Sequence, residues 1–362
     1  MTTQHTKSGF LSVRLPHLLV AIAMLCMVGS SAFAGWTAVT LHPAGANRSC
    51  AFGVSGGQQA GVTDYHASLW SGSAESWVDL NPEGAAGSTV RGVYGNLQAG
   101  YANVAGSYNH HAGLWNGTAA SWVDLNPEGA TDSYCYGAYS NLQVGAAIFN
   151  GYSHAGTWHG TAATWYDLNP TGAMKSYAYD ASIDQVVGYA QFGQFTTHAG
   201  VWSFGAWHDL NPEGAASSCA YGVEVGQMVG RVENHAVLWK GHAGNWVDLS
   251  PVGADDSCAY AINSGMQVGY ASFSGVGTHA GLWSGNADSW VDLHAFLPAD
   301  AYSSSEAFSI DVSANEIWVS GSATNALTGQ GEAMLWHYVP EPATLSLLAL
   351  GGLMALRCRR RK

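Results

Sequence analysis

Six histidines, His66, His111, His154, His198, His235 and His279, each open a His-Ala-x-x-Trp stretch. Six aspartates follow them in step, Asp79, Asp124, Asp167, Asp209, Asp248 and Asp292, each immediately before a leucine. An imidazole and a carboxylate can ligate a metal, pass a proton, or hydrogen-bond each other as part of the scaffold. The sequence favours the last. Both residue types recur together in every copy, equivalent positions of stacked repeats are too far apart to share one ion, and chemistry needs an asymmetry that a repeated column lacks.

The elements that must position these residues are legible from the period. Steps between the six histidines are 45, 43, 44, 37 and 44 residues, the spacing of a solenoid or propeller array. Each unit reads as four strands. The Asn-Pro-x-Gly-Ala turn leads into a first strand such as 218–223, and a second such as 227–232 carries a Gln and a recurring Val-Gly. His-Ala-x-Leu-Trp is the third and Trp-Val-Asp-Leu the fourth. Alternation puts His111, Gly113 and Trp115 on one face and Ala112 and Leu114 on the other. Asn-Pro after the aspartate marks an Asx-type turn. Residues 35–339 show no helical periodicity.

Six full copies end at Leu80, Leu125, Leu168, Leu210, Leu249 and Leu293. Thr37–Leu41 has the pattern of a fourth strand without the preceding three, while 306–312, 316–323 and 332–338 give three strands without a fourth. These fragments complete one another. The expected fold is all-β: a seven-bladed β-propeller of four-stranded blades, the last closed by the N-terminal strand, with six blades as the alternative. Closure removes the edges that an open array would expose.

Residues 35–339 hold 5 Lys+Arg and 24 Asp+Glu, a net −19, against −13 for the whole chain. A surface this acidic argues against nucleic acid and anionic membranes as partners. Cys50, Cys219 and Cys258 share a repeat column, read as one occupied by Ala in other copies, with Cys135 one place along. They are expected to be free, buried thiols. No zinc-type cluster, nucleophile elbow, metalloprotease helix or phosphate loop occurs, so neither a cofactor nor a catalytic set is expected. Charged residues off the columns, Asp64, Asp184, Glu224, Glu233, Arg91, Lys175 and Arg231, are scattered among the units. Tyrosines of the first strands, Tyr94, Tyr136, Tyr179, Tyr221 and Tyr260 together with Tyr134 and Tyr177, either line a channel mouth and stack on sugars or pack between blades.

The ends carry sorting information. Residues 1–34 read as a secretory signal: Lys7 and Arg14, an apolar LLVAIAMLCMVG core, and Ala32-Phe33-Ala34 before the cleavage point. At the other end, Val339-Pro340-Glu341-Pro342 precedes an apolar run, 343–356, and a basic terminus with Arg357, Arg359, Arg360 and Arg361. A run this short spans a bilayer only marginally, and the basic cluster would hold its end in the cytoplasm. Residues 340–362 thus read as a tail with a short transmembrane helix.

That tail resembles the PEP-CTERM sorting signal. The resemblance implies transient residence in the inner membrane and processing by an exosortase, in Gram-negative bacteria that make extracellular polysaccharide. The repeat also resembles the HAF-type extracellular repeat, with Trp115 two residues beyond the position of its aromatic in His111-Ala112-Gly113; this implies an exported repeat domain and brings no catalytic residues. The expected function is a non-enzymatic module at the cell surface or in the extracellular matrix that binds polysaccharide or a surface protein. The alternatives are a secreted carbohydrate-active enzyme with its site at a propeller mouth, and a structural spacer.

Overall fold

The computed structural model describes residues 35–104, 109–194, 196–313 and 316–340. The segments read as signal peptide and as the tail from Glu341 onward lie outside them. Among the described residues no helix is long and apolar enough to cross a membrane.

Antiparallel hairpins follow one another along the chain and sort into seven separate four-stranded sheets. Six are built from consecutive strands: blades 1 to 6 cover residues 49–79, 88–124, 132–167, 175–209, 218–248 and 256–292. Blade 7 comprises Tyr302–Ser313, Glu316–Asn325 and Gly331–Val339, and its fourth strand is Gly35–Thr40 from the start of the chain. The ring is therefore closed as the incomplete first and last copies required, with seven blades and not six. The propeller unit is Trp36–Tyr338.

Fourth strands are short for a local reason. In blades 1, 2, 3 and 6 a 3-10 turn such as Ala119–Ser121 takes up the chain after the third strand, leaving only two residues to pair. Blade 4 lacks that turn, and its fourth strand, Ala206–Asp209, is longer. The core lies between blades. The tryptophan near the end of each third strand, Trp70, Trp115, Trp158, Trp202, Trp239, Trp283 and Trp336, is at most 2% exposed. Burying so large a side chain at every junction is the main apolar stabilisation of the ring. In blades 2, 3, 4 and 6 the second tryptophan lies over the third strand: a β-carbon on Gly113, Gly156, Gly200 or Gly281 would overlap the indole of Trp122, Trp165, Trp207 or Trp290.

Polar clasps join neighbouring blades. The first strand of each blade begins near a buried serine: Ser49, Ser88, Ser133, Ser176, Ser218, Ser257 and Ser305. Each accepts the backbone N–H of the alanine on the preceding blade's third strand, at 2.8–3.0 Å. In blades 2 to 5 the hydroxyl donates to the Oδ1 of the preceding Asn-Pro asparagine, at 2.6–2.7 Å. Where the asparagine is replaced, the new side chain makes the same bond: Ser250 to Ser257, His294 to Ser305 and His42 to Ser49. Leaving a backbone N–H unpaired inside a blade junction is costly, and serine recurs there at all seven positions.

Candidate functional site

The second strand explains what the first strand presents. Its recurring glycine, Gly61, Gly100, Gly145, Gly188, Gly230, Gly269 or Gly321, has no room for a side chain, because a β-carbon there would overlap a carbonyl oxygen of the first strand. Just past that close approach the register slips by one residue in all seven blades, for example between Ala178 and Asp180. One residue per blade is thereby left without a partner. Such bulges redirect a side chain out of the regular alternation.

The seven unpartnered residues are Phe52, Arg91, Tyr136, Tyr179, Tyr221, Tyr260 and Phe308. They line one cavity on the propeller axis together with Asp180. Neighbours meet ring to ring: Tyr136–Tyr179 and Tyr179–Tyr221 at 5.2 Å, and Tyr221–Tyr260, Tyr260–Phe308 and Phe308–Phe52 at 5.4 Å. The Arg91 guanidinium lies over Phe52 at 4.1 Å. These side chains make an iris around the channel, tilted rather than stacked, at separations that favour aromatic pairs. Burial raises the phenols of Tyr136, Tyr179 and Tyr260 well above their ordinary range, so the iris is uncharged there at neutral pH.

The expected tyrosines are placed unequally. Tyr136, Tyr179, Tyr221 and Tyr260 belong to the iris, where they both pack against neighbouring blades and face the channel. Tyr94 does not. It lies three residues beyond Arg91 on the first strand, is 41% exposed and meets Tyr139 at 5.3 Å, because the blade 2 bulge turns Arg91 inward instead. Phe52, Arg91 and Phe308 are the members that a search for tyrosines missed; aligning the residue before the Gly, Ala, Asp or Ser of each first strand finds all seven.

Two residues earlier, Cys50, Thr89, Tyr134, Tyr177, Cys219, Cys258 and Glu306 occupy the corresponding column. This corrects the reading that Cys50, Cys219 and Cys258 share a column with alanines. The alanine column is the next one, held by Ala51, Ala178, Ala220, Ala259 and Ala307, and Cys135 is its member in blade 3. All four thiols are free. Cys135 is fully buried, which pushes its thiol up to about 12; Cys50 and Cys219 are half-buried.

Two carboxyls in this region are perturbed. Asp180 stands where five of the other six first strands have Gly53, Gly92, Gly137, Gly222 or Ala261, and burial raises it to about 6 against the N–H groups of Val223 and Ala181 that it accepts at 3.0 and 2.8 Å. Glu306 is raised by burial too, with Tyr260 hydrogen-bonded to it.

The six histidines stand apart from the channel, on the third strands. Each Nδ1 lies 2.6–2.9 Å from the Oδ2 of its own blade's aspartate, from His66–Asp79 to His279–Asp292. The aspartate's other oxygen accepts the N–H two residues on, at 2.7–2.9 Å, forming the Asx turn. These imidazoles pair with their aspartates as part of the scaffold without being buried. Their side chains are 14–56% exposed, because each histidine precedes the buried stretch of its strand. Among the described residues no group of three or more His, Cys, Asp or Glu is placed to hold a metal.

Residues 339–362 match the PEP-CTERM protein-sorting motif, so the chain carries the sorting signal of exosortase substrates. No curated protein is detectably similar to it. Among solved structures, puromycin hydrolase superposes with a TM-score of 0.50 at 10% identity, covering 78% of this chain and 53% of that one. Its S511A mutant complexed with PGG gives 0.51 at 13%, covering 78% and 52%. YCF48 bound to D1 peptide gives 0.49 at 12%, covering 85% and 97%. The chain spans about half the length of the puromycin hydrolase structures it matches, and at these identities the likeness shows the propeller fold alone.

Proposed function

We propose that this PEP-CTERM-sorted propeller is a non-enzymatic saccharide-binding module of the cell surface or extracellular matrix, with the aromatic iris and its mouth as the binding surface. The observation that carries the reading is the iris itself: one side chain from each of seven blades, six of them aromatic, turned into one cavity by the same bulge. Sugars present apolar C–H faces that stack on aromatic rings, and the neutral tyrosines and phenylalanines of the iris suit them. Export and sorting would deliver such a module to the compartment where extracellular polysaccharide lies, after passage through the inner membrane and processing by an exosortase. The iris is also a place where a segment of a surface protein could lodge, which makes protein binding an outcome of the test.

A second reading has one specific support. Asp180, with a raised carboxyl, lines the same cavity, and a raised carboxyl is the usual acid of glycoside hydrolysis. Co-sedimentation of the purified protein with the producing organism's polysaccharide, with the supernatant assayed for released sugar, separates the two. Saturable binding without release is the expected result. Released oligosaccharide would replace binding by hydrolysis, and no association at all would leave a protein partner or a spacer role.

A further inference from the structure

The five Lys and Arg residues of the 35–339 region are unevenly placed. Two of them, Arg48 and Arg91, line a single cavity of about 340 Å³ between the first strands of blades 1 and 2, opening beside the iris. Arg48 lies over the Tyr65 ring at 3.8 Å, and Arg91 over Phe52 at 4.1 Å with Tyr101 at 6.0 Å. Among the described residues neither guanidinium forms an ion pair, although acids outnumber bases almost five to one. Arg91 Nε is closed off from solvent without a hydrogen-bond partner, and its Nη2 reaches only the Tyr101 hydroxyl at 3.5 Å.

Arg231 is differently placed. It lines the larger cavity of about 520 Å³ across the ring, but Asp256 holds it at 2.8 Å and Asn234 at 2.9 Å, so its charge is already answered. At the Arg48–Arg91 cavity no carboxylate among the described residues pairs with either guanidinium, and Asp64 is engaged by the backbone N–H groups of Asn47 and Arg48. A buried N–H without a partner costs stability, and stacking on aromatics holds each guanidinium in place without neutralising it. Backbone strain marks the same spot: Asp64 and Tyr65 both have positive φ, 46° and 72°, in the tight turn that presents the Tyr65 ring to Arg48. For a tyrosine this conformation is uncommon.

We propose that this cavity takes an acidic sugar residue, its carboxylate paired with Arg91 and Arg48 and its ring against Tyr65 and Tyr101. This rests on the saccharide reading above and names its class: uronate-type polysaccharide in place of a neutral one. Guanidinium suits the task because its planar fork meets a carboxylate through two parallel hydrogen bonds. The acidic remainder of the surface repels a polyanion, so an acidic chain would be held at this one place and in one orientation.

The test is calorimetric titration of the purified protein with short oligogalacturonates, with their methyl esters, and with malonate. Arg91→Gln, Arg91→Lys and Arg48→Gln are compared with Lys240→Gln, which removes a charge exposed on blade 5. The acid is expected to bind saturably and the ester at least about tenfold more weakly, as loss of a charge-assisted pair predicts. Arg91→Gln and Arg48→Gln should weaken the acid similarly, Arg91→Lys should fall between, and Lys240→Gln should match the unaltered protein. Should Arg91→Gln fail to fold, Arg48→Gln and the ester carry the test. Equal binding of acid and ester, or arginine variants that bind like Lys240→Gln, would overturn the acidic-sugar assignment while leaving saccharide binding standing. Malonate binding as tight as the oligosaccharide would reduce the cavity to a plain anion site and overturn the sugar. Failure of every saccharide, the organism's own polysaccharide included, would overturn both readings together.

Discussion

Ser88, the first residue of blade 2, donates its hydroxyl to Asn81 Oδ1 at 2.6 Å and in the same position accepts the Ala67 N–H of blade 1 at 2.9 Å. One hydroxyl thus ties a blade to its predecessor's third strand and to the loop between them.

Ser88→Ala should therefore cost about 1–3 kcal/mol, since it leaves the buried Ala67 amide, and the half-buried Asn81 Oδ1, without that partner. Denaturant unfolding measures this. A cost within a few tenths of a kcal/mol would mean that the clasp is incidental to ring stability.

Gly188→Ala should be among the most disruptive single-methyl additions to the chain. Its β-carbon would overlap the Tyr177 carbonyl, which is backbone and cannot swing aside, so the bulge that aims Tyr179 inward would have to be undone. A substantially lowered melting temperature is expected, or a folded protein that has lost ligand binding at the iris. Gly244→Ala, at a turn glycine without a positive φ where a β-carbon would meet nothing nearer than 3.6 Å, controls for the loss of glycine itself.

Removal of residues 35–41 should open blade 7. It deletes the strand paired with Gly331–Val339, the fully buried Leu41 and the N–H of Leu41 that Ala333 accepts at 2.8 Å. Burial of one leucine alone stabilises by about 1.5–3 kcal/mol, and the exposed edge adds a tendency to associate. An unchanged melting temperature and a monomer by light scattering would contradict the closure.

Asp180 gives stability a definite pH slope. Its folded value, about 6, lies above the ordinary 3.8, so the folded protein binds more protons between those values. The contribution is fully present below about pH 4 and is lost as pH rises through about 6, at most about 3 kcal/mol by linkage. Asp180→Asn should lack this component, so the difference in unfolding free energy between the two proteins should change from pH 4 to 7 and stay flat above. A constant difference would place Asp180 at an ordinary carboxylate value.

The sequence by itself determined a ring of four-stranded blades closed by the N-terminal strand, and the structure decided seven blades over six. A 37–45-residue period, paired tryptophans and complementary end fragments allow one ring, because a strand edge and a buried tryptophan face each need a neighbour and only closure supplies them all. The recurring histidines and aspartates were legible as a column, though their exposure was not. Tertiary structure decided which residues face the channel. The inward set is fixed by a register slip beside the close approach of the second-strand glycine, and strict alternation read along one strand cannot contain a slip set by its partner. For that reason Tyr94 passed for a channel residue, Arg91 and the two phenylalanines did not, and Asp180 went unremarked. Only the fold, by bringing Arg48 and Arg91 to one cavity and Asp256 to Arg231 at another, decided which positive charges are already paired and which await a partner.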